Sequence, residues 1–439
     1  MSKLKELIAE YCPNGVRYAT LGELGYFYGG LSGKTKEDFK DGNVKFITYM
    51  NVYTNPSLKV DVLDKVKIEE NEKQNLIEYG DVLFTGSSET PDECGMSSVL
   101  TEKTLEKLYL NSFSFGYRFY DTTLFVPDFC KYLFRSTELR KQIKMTASGV
   151  TRFNVSKKKM ANIKIPIVPI ELQNKIVKIL DNFTELEAEL EAELEAVKKQ
   201  YGYYRDELLS FKDEVKMTES LKAILSFCNV CIDKGYKVDK KKLGEVCNFI
   251  NGFGFKSNLF RDKGLPILRI TNIKNNQIDD SNLIYFDKSD YKEDLSSFII
   301  DKDDIVVAMS GATTGKVGMN KSDNIYYLNQ RVGKFIPHSC LNNNYLYHYL
   351  LTKTDYFYTK SGGGAQPNLS NKIVNDLEIP IPPLEVQNAI VTVLDRFEKY
   401  ANDLSCGLPA EIEKRKQQYE YYRDLLLKFE DISEVQTAI

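Results

Sequence analysis

The sequence predicts an α+β protein duplicated within one chain: two globular domains of mixed character, joined by two long antiparallel coiled-coil helices and related by an internal pseudo-two-fold. Three observations carry this. A motif recurs at half-chain distance, each copy runs into a long apolar stripe at helical spacing, and short β-rich runs between polar loops precede each copy.

The recurrence is specific. Pro166-Ile-Val-Pro-Ile-Glu-Leu-Gln-Asn-Lys-Ile-Val-Lys-Ile-Leu-Asp-Asn-Phe183 aligns with Pro380-Ile-Pro-Pro-Leu-Glu-Val-Gln-Asn-Ala-Ile-Val-Thr-Val-Leu-Asp-Arg-Phe397 with eleven of eighteen positions identical, where composition predicts roughly one. Gln200-Tyr-Gly-Tyr-Tyr-Arg-Asp-Glu-Leu-Leu-Ser-Phe211 and Gln418-Tyr-Glu-Tyr-Tyr-Arg-Asp-Leu-Leu-Leu-Lys-Phe429 agree at nine of twelve. Fainter echoes, Leu21-Gly-Glu-Leu24 with Leu243-Gly-Glu-Val246 and Gly80 to Ser88 with Asp303 to Gly311, keep the same order. Each unit is too long for a solenoid repeat, so this is a duplicated module. Parts alike in both copies serve a shared role, scaffolding or docking one partner twice; parts that differ do something particular to each half.

The stripe Leu172, Ile176, Ile179, Phe183, Leu186, Leu190, Leu194, Val197, Tyr201, Tyr204, Leu208, Phe211 advances in steps of three and four, the mean near 3.5 of a coiled-coil seam. This predicts one helix of about forty residues, ~60 Å long. The second copy repeats it with Val386, Ile390, Val393, Phe397, Tyr400 and Leu404, breaks at Cys406-Gly-Leu-Pro409, and resumes with Ile412, Tyr419, Tyr422, Leu426 and Phe429. So narrow a seam needs a partner, and the two copies packing antiparallel on each other is the economical solution. Three tandem Glu-Leu-Glu-Ala units from Glu185 to Ala196 read as a solvated face, with a length-setting spacer or a docking ridge as alternatives.

The runs Val44 to Val52, Gly80 to Phe84, Leu265 to Ile273 and Asp304 to Ala308 read as strands, and Phe129 to Phe134 and Tyr345 to Leu351 as short helices. The expected division is a first domain at 1–169, a first long helix at 170–212, a linker at 213–239, a second domain at 240–383, a second helix at 384–430 broken near 406–409, and a tail at 431–439.

Composition narrows the chemistry. The 439 residues carry 59 basic and 62 acidic side chains, net charge −3, so contact with nucleic acid has to use local patches. Without a long apolar segment or signal-peptide core, the expected location is the cytoplasm, away from membranes. Only Cys228 and Cys231 have metal-like spacing, and the two histidines, His338 and His348, lie far on; no metal is expected, and little material exists for histidine catalysis. Gly311 to Val317 falls one residue short of a P-loop and ends in Val where Ser or Thr belongs. Asn251-Gly-Phe-Gly-Phe255 reads as a turn, and Pro127-Asp128 with Glu138-Leu-Arg140 is a poor metal-nuclease set.

Together, the duplicated Pro-x-x-Pro-x-Glu-x-Gln-Asn segment, the Gln-Tyr-x-Tyr-Tyr-Arg-Asp helix end and the two diverged domains resemble the specificity subunit of type I restriction-modification enzymes over essentially the whole chain. The resemblance implies a non-catalytic, DNA-reading subunit whose two target-recognition domains each read half of a split, asymmetric site in double-stranded DNA. It implies two modification subunits, which bind S-adenosylmethionine and methylate adenine at N6, and restriction subunits using ATP and Mg2+. No cofactor is expected in this chain, which has no Asn-Pro-Pro-aromatic methyltransferase motif.

In the second domain Ser310, Thr313, Thr314, Lys316, Gln330, Arg331, Gln366 and Asn368 resemble the family's DNA-facing loops; such side chains read base edges or hold phosphates. In the first domain the choices are Thr85, Ser87, Ser88, Thr151, Arg152 and Asn154, because Asn111-Ser112-Phe113 stands where Asn329-Gln330-Arg331 stands in the second. The repeated positions Glu171, Gln173, Asn174, Phe183, Tyr201, Tyr204 and Arg205, with Glu385, Gln387, Asn388, Phe397, Tyr419, Tyr422 and Arg423, are expected to form the spacer and dock partners. The competing reading is a coiled-coil scaffold with two protein-binding heads and no role on DNA; a nuclease acting alone is the third.

Overall fold

The computed structural model describes residues 2–61, 64–211, 222–224, 226, 238–362, 367–403 and 406–432. Cys228, Cys231, Gln366, Leu404 and most of the expected linker therefore lie outside the described residues. The chain forms two compact units that cut across its linear division: residues 1–191 with 411–439, and residues 192–410.

In the first unit a four-stranded sheet runs Gly25–Gly29, Ser114–Phe119, Val82–Thr85, Ser97–Val99. Another runs Asp64–Val66, Val44–Ile47, Leu108–Leu110, Leu76–Ile77, its central pair parallel. The second unit repeats the plan. Cys247–Asn251 pairs with Val332–Pro337, and Val332–Pro337 with Ile305–Ala308, while Leu265–Leu268 runs parallel to Tyr326–Leu328 in a separate sheet. Each domain is closed by pairing its first strand with its last, Arg17–Thr20 with Lys164–Ile167 and Asp239–Lys242 with Glu378–Ile381.

Two expected strands are shorter than the sequence suggests. Val44–Ile47 stops because Thr48 caps a helix, Tyr49–Thr54, by accepting from the Asn51 N–H; an N-cap hydroxyl satisfies a donor that the strand ladder would otherwise take. Leu265–Leu268 ends one residue before the helical turn Ile270–Asn272. The expected short helices are present as Pro127–Leu133 and Asn343–Leu351.

The long helix spans Ile170–Ser210, 41 residues. The second is two helices, Leu384–Asn402 and Leu408–Leu426, with the Gly407 N–H bonded to the Asp403 carbonyl at the break. Within the first unit Phe183 stacks on Tyr422 and Lys416 pairs with Glu191, so the two helical stretches there run antiparallel. Within the second, Phe397 stacks on Tyr204 and the Tyr400 hydroxyl donates to Glu193, again antiparallel. Of the six tandem glutamates, Glu187, Glu191 and Glu193 thus bond the facing helix rather than only water. Leu186 departs from the expected seam and is 45% exposed.

Each helix pair is part of the core of its own unit. Leu172, Ile176 and Leu180 with Leu426, Leu427 and Phe429 are buried in the first. Their repeat equivalents Val386, Ile390 and Leu394 with Leu208 and Leu209 are buried in the second. Burying a Leu, Ile or Phe side chain contributes about 1.5–3 kcal/mol, which accounts for the spacing being kept in both copies. Among the described residues no helix is long and apolar enough to cross a membrane.

Candidate nucleic-acid interface

In each unit three loops meet at one end of the central strand. In the first, Val82–Thr85 leads into Ser87–Ser88, which pairs with Phe153–Val155, so that Asn154 lies opposite Ser87. The Arg152 Nε donates to the Ser87 hydroxyl at 3.2 Å, and the Tyr49 hydroxyl donates to the Ser87 carbonyl at 2.8 Å. The third loop enters where the Gly86 N–H donates to the Phe113 carbonyl at 2.8 Å.

The second unit uses the same connections. Ser310 bridges Asn368, and the Met309 N–H donates to the Arg331 carbonyl at 2.9 Å. The Asn111 N–H bonds the Ile47 carbonyl at 3.0 Å and the Asn329 N–H the Leu268 carbonyl at 3.2 Å. In both turns the asparagine Oδ1 accepts from the N–H two residues on, that of Phe113 or of Arg331. Gly30 and Gly252 make room: a Cβ on either would stand 2.0 Å from the carbonyl oxygen of Asn111 or Asn329. Phe113 and Arg331 therefore occupy one backbone position in two copies of one scaffold.

The structure brings together most of the expected residues but not all as reading groups. Ser87, Ser88, Arg152 and Asn154 cluster, with Thr151 and Asn154 exposed. Thr85 is a correction: it is fully buried and its hydroxyl accepts from the Met96 N–H, fixing the strand rather than facing out. Thr314 is another, buried with its hydroxyl donating to the Gly311 and Pro367 carbonyls, which ties two loops together. Lys316, Gln330, Arg331 and Asn368 are exposed. Ser310 Oγ and Thr313 Oγ1 are buried without a hydrogen-bond partner among the described residues.

Several groups at these loops carry no sequence signal. Arg269 follows Leu268 into the second cluster, its guanidinium donating to the Asn282 carbonyl. In the first cluster Glu93 accepts from Tyr53, Thr90 and Ser88. Those bonds hold its carboxyl below the usual range.

The repeated motif residues work mainly inside their own units. Gln173 Oε1 accepts from the Val126 N–H and its Nε2 donates to the Leu124 and Val168 carbonyls. Gln387 repeats this with the Asn342 N–H and the Cys340 and Pro382 carbonyls. Both are fully buried, so neither can touch a partner; their side chains lock helix to domain. Phe183, Phe397, Tyr204 and Tyr422 are occupied in the stacked pairs, Tyr201 in packing on His348, and Tyr419 in packing on Tyr132. Arg205 and Arg423 lie over the rings of Tyr201 and Tyr419. Glu171, Asn174, Glu385 and Asn388 remain exposed, Asn388 accepting from Asn342. Tyr203 and Tyr421, equivalent positions the stripe passes over, are the exposed aromatics of these helices that sequence reasoning missed.

Among the described residues, the other motifs weighed in the sequence are held in bonds of their own. Gly311–Thr313 is a short turn followed by a strand, Val317–Met319, not the helix a P-loop requires. Arg140 is committed to the carbonyls of Asp92, Cys94 and Gly95, and Asp128 to Lys131. His348, Asp395 and Glu398 offer atoms within 4.8 Å of one another. They are already bonded: His348 to Asp395, and Glu398 to the Tyr347 hydroxyl and Lys321.

Comparisons with known proteins agree with this architecture. The chain is 32% identical over 285 residues to the Escherichia coli type I restriction enzyme EcoR124I/EcoR124II specificity subunit, covering 63% of this chain and 64% of that protein. It is 33% identical over 300 residues to a putative type I restriction enzyme specificity subunit of Haemophilus influenzae, covering 64% and 68%. The chain thus spans a little under two thirds of the first of these relatives. Among solved structures, the HsdS subunit from Thermoanaerobacter tengcongensis matches with TM-score 0.50 at 16% identity, covering 95% of this chain and 96% of that one. A chain from a structure of type I restriction-modification complex assembly matches with TM-score 0.59 at 16% identity, covering 95% and 98%, a likeness of fold. Residues 13–196 and 236–414 each match the family described as type I restriction modification DNA specificity domain, and with both halves so matched the chain belongs to that family.

Proposed function

We propose that this chain is the DNA sequence-specificity subunit of a type I restriction-modification complex. Its two domains each read one half of a bipartite, asymmetric site in double-stranded DNA, and it docks modification and restriction subunits in the cytoplasm. It contributes no catalytic group; S-adenosylmethionine serves the two modification subunits, and ATP and Mg2+ the restriction subunits.

The observation that carries this reading is the pairing of one loop scaffold with two sets of side chains. Identical backbone bonds present Ser112 and Phe113 in one unit and Gln330 and Arg331 in the other. A scaffold that merely held two proteins would have no need to keep the loop frame and vary its tips, whereas reading two unlike half-sites requires it. The net charge of −3 further supports binding in company with partners that supply phosphate contacts.

The test is to map N6-methyladenine across the genome of cells carrying a cognate, active modification subunit, with and without this chain. A split motif that appears only with the chain is the expected result. Its absence would favour the scaffold reading.

A further inference from the structure

The first unit's loop cluster is unusually apolar for a surface expected to meet DNA. Phe113 is 61% exposed, Met50 60% and Val150 90%. Phe113 and Val150 sit on loops that converge at Gly86 and Ser87, and Met50 sits in the first turn of the helix Tyr49–Thr54, which the Tyr49 hydroxyl ties to Ser87. Phe113 is bound there through its carbonyl, Met50 follows Tyr49, whose hydroxyl holds the Ser87 carbonyl, and Val150 precedes Arg152, which holds the Ser87 hydroxyl.

The second unit is polar at two of these positions. Counting three residues on from the matched carbonyls of Ile47 and Leu268, Met50 corresponds to Thr271; counting two from the matched asparagines, Phe113 corresponds to Arg331. Both Thr271 and Arg331 are exposed. Nothing in the first unit's core demands these apolar side chains outside, since its large buried residues are already packed elsewhere.

An apolar tip has no hydrogen bond to offer a base edge. The one apolar feature that the major groove presents is the thymine 5-methyl group, and a phenyl ring packs against it. We propose that the first domain reads its half-site with Phe113, whose ring packs on a thymine methyl, at the backbone position where the second domain carries Arg331. This rests on the specificity reading and adds to it that the two half-sites are read by opposite chemistries.

The experiment uses the complete complex of this chain with its modification subunits. Methylation mapping with Phe113→Ala is expected to relax one T·A position of the first half-site by roughly tenfold in preference, the scale of one apolar contact. The second half-site and the gap stay unchanged, which controls for folding. In an oligonucleotide, replacing that thymine by uracil removes only the methyl; it should weaken the wild-type complex by the same factor and leave Phe113→Ala indifferent. Should Phe113→Ala methylate the unaltered motif, or both half-sites be lost together, the proposal is overturned while the specificity reading stands on the wild-type motif. If the wild-type chain directs no split motif, both fall.

Discussion

His348 Nε2 lies 2.7 Å from the Asp395 carboxylate, at the place where the first unit sets the Tyr132 hydroxyl 2.5 Å from Asp181. The Tyr201 hydroxyl, 3.0 Å from His348 Nδ1, completes a chain from the long helix through Asn343–Leu351 to Leu384–Asn402. The aspartate is common to both repeats, and each unit has found its own donor for it.

Acid sensitivity follows for the second unit. Burial pushes the Asp395 carboxyl up, but the His348 and Asn344 hydrogen bonds outweigh it and hold the group below the usual range. A carboxylate lowered by folding adds stability above its unfolded pKa near 4, and that stability is lost as pH falls through the lower folded value. His348→Ala should cost about 2 kcal/mol at pH 7 in urea denaturation, and the variant should lose less further stability than wild type between about pH 5 and 3. Parallel pH profiles for the two proteins would contradict the link.

Gln173→Ala and Gln387→Ala should each destabilise by about 2–4 kcal/mol, because each strands one buried carbonyl together with a half-buried carbonyl and a half-buried N–H. The losses should add in the double variant, since the two glutamines share no partner. Denaturation midpoints at fixed m-value are the measurement.

Arg331→Ala should relax a single position of the second half-site, at a cost of about 1–3 kcal/mol in discrimination if the guanidinium reads guanine. Uniform weakening across sequences, with a smaller salt slope, would mark a phosphate contact instead.

Removing Glu189 to Ala192 takes one Glu-Leu-Glu-Ala unit from the long helix and shortens it by about 6 Å. Methylation mapping should return both half-sequences with an altered gap. An unchanged gap would remove the spacer role from these repeats.

The sequence showed most of the fold where physics is periodic. The stripe from Leu172 to Phe211 marked the long helix to within two residues, and the repeated motif pointed to a duplicated domain. What stayed hidden depended on three-dimensional neighbours. Thr48 looks like any strand residue until its hydroxyl caps Asn51. Gln173 reads as a surface polar group until its three backbone partners appear. Thr85 and Thr314 carry the composition of a reading loop but spend their hydroxyls on holding it. Phe113 gave the reverse impression: its match to Arg331 was visible in the sequence, but as an apolar residue it looked out of place there, and its exposure and shared backbone bonds came only with the structure.

The first unit is assembled from both ends of the sequence. Val16 exchanges backbone hydrogen bonds with Glu430 and Ile432, and Leu426, Leu427 and Phe429 lie in the core laid down by residues 16 to 180. The second unit is one unbroken stretch, 192–410. Domains usually fold in order of synthesis, but here synthesis completes the two units in the opposite order. As the chain leaves the ribosome, every residue of the later unit is made before Leu426, Leu427 and Phe429 emerge to complete the apolar core of the earlier one.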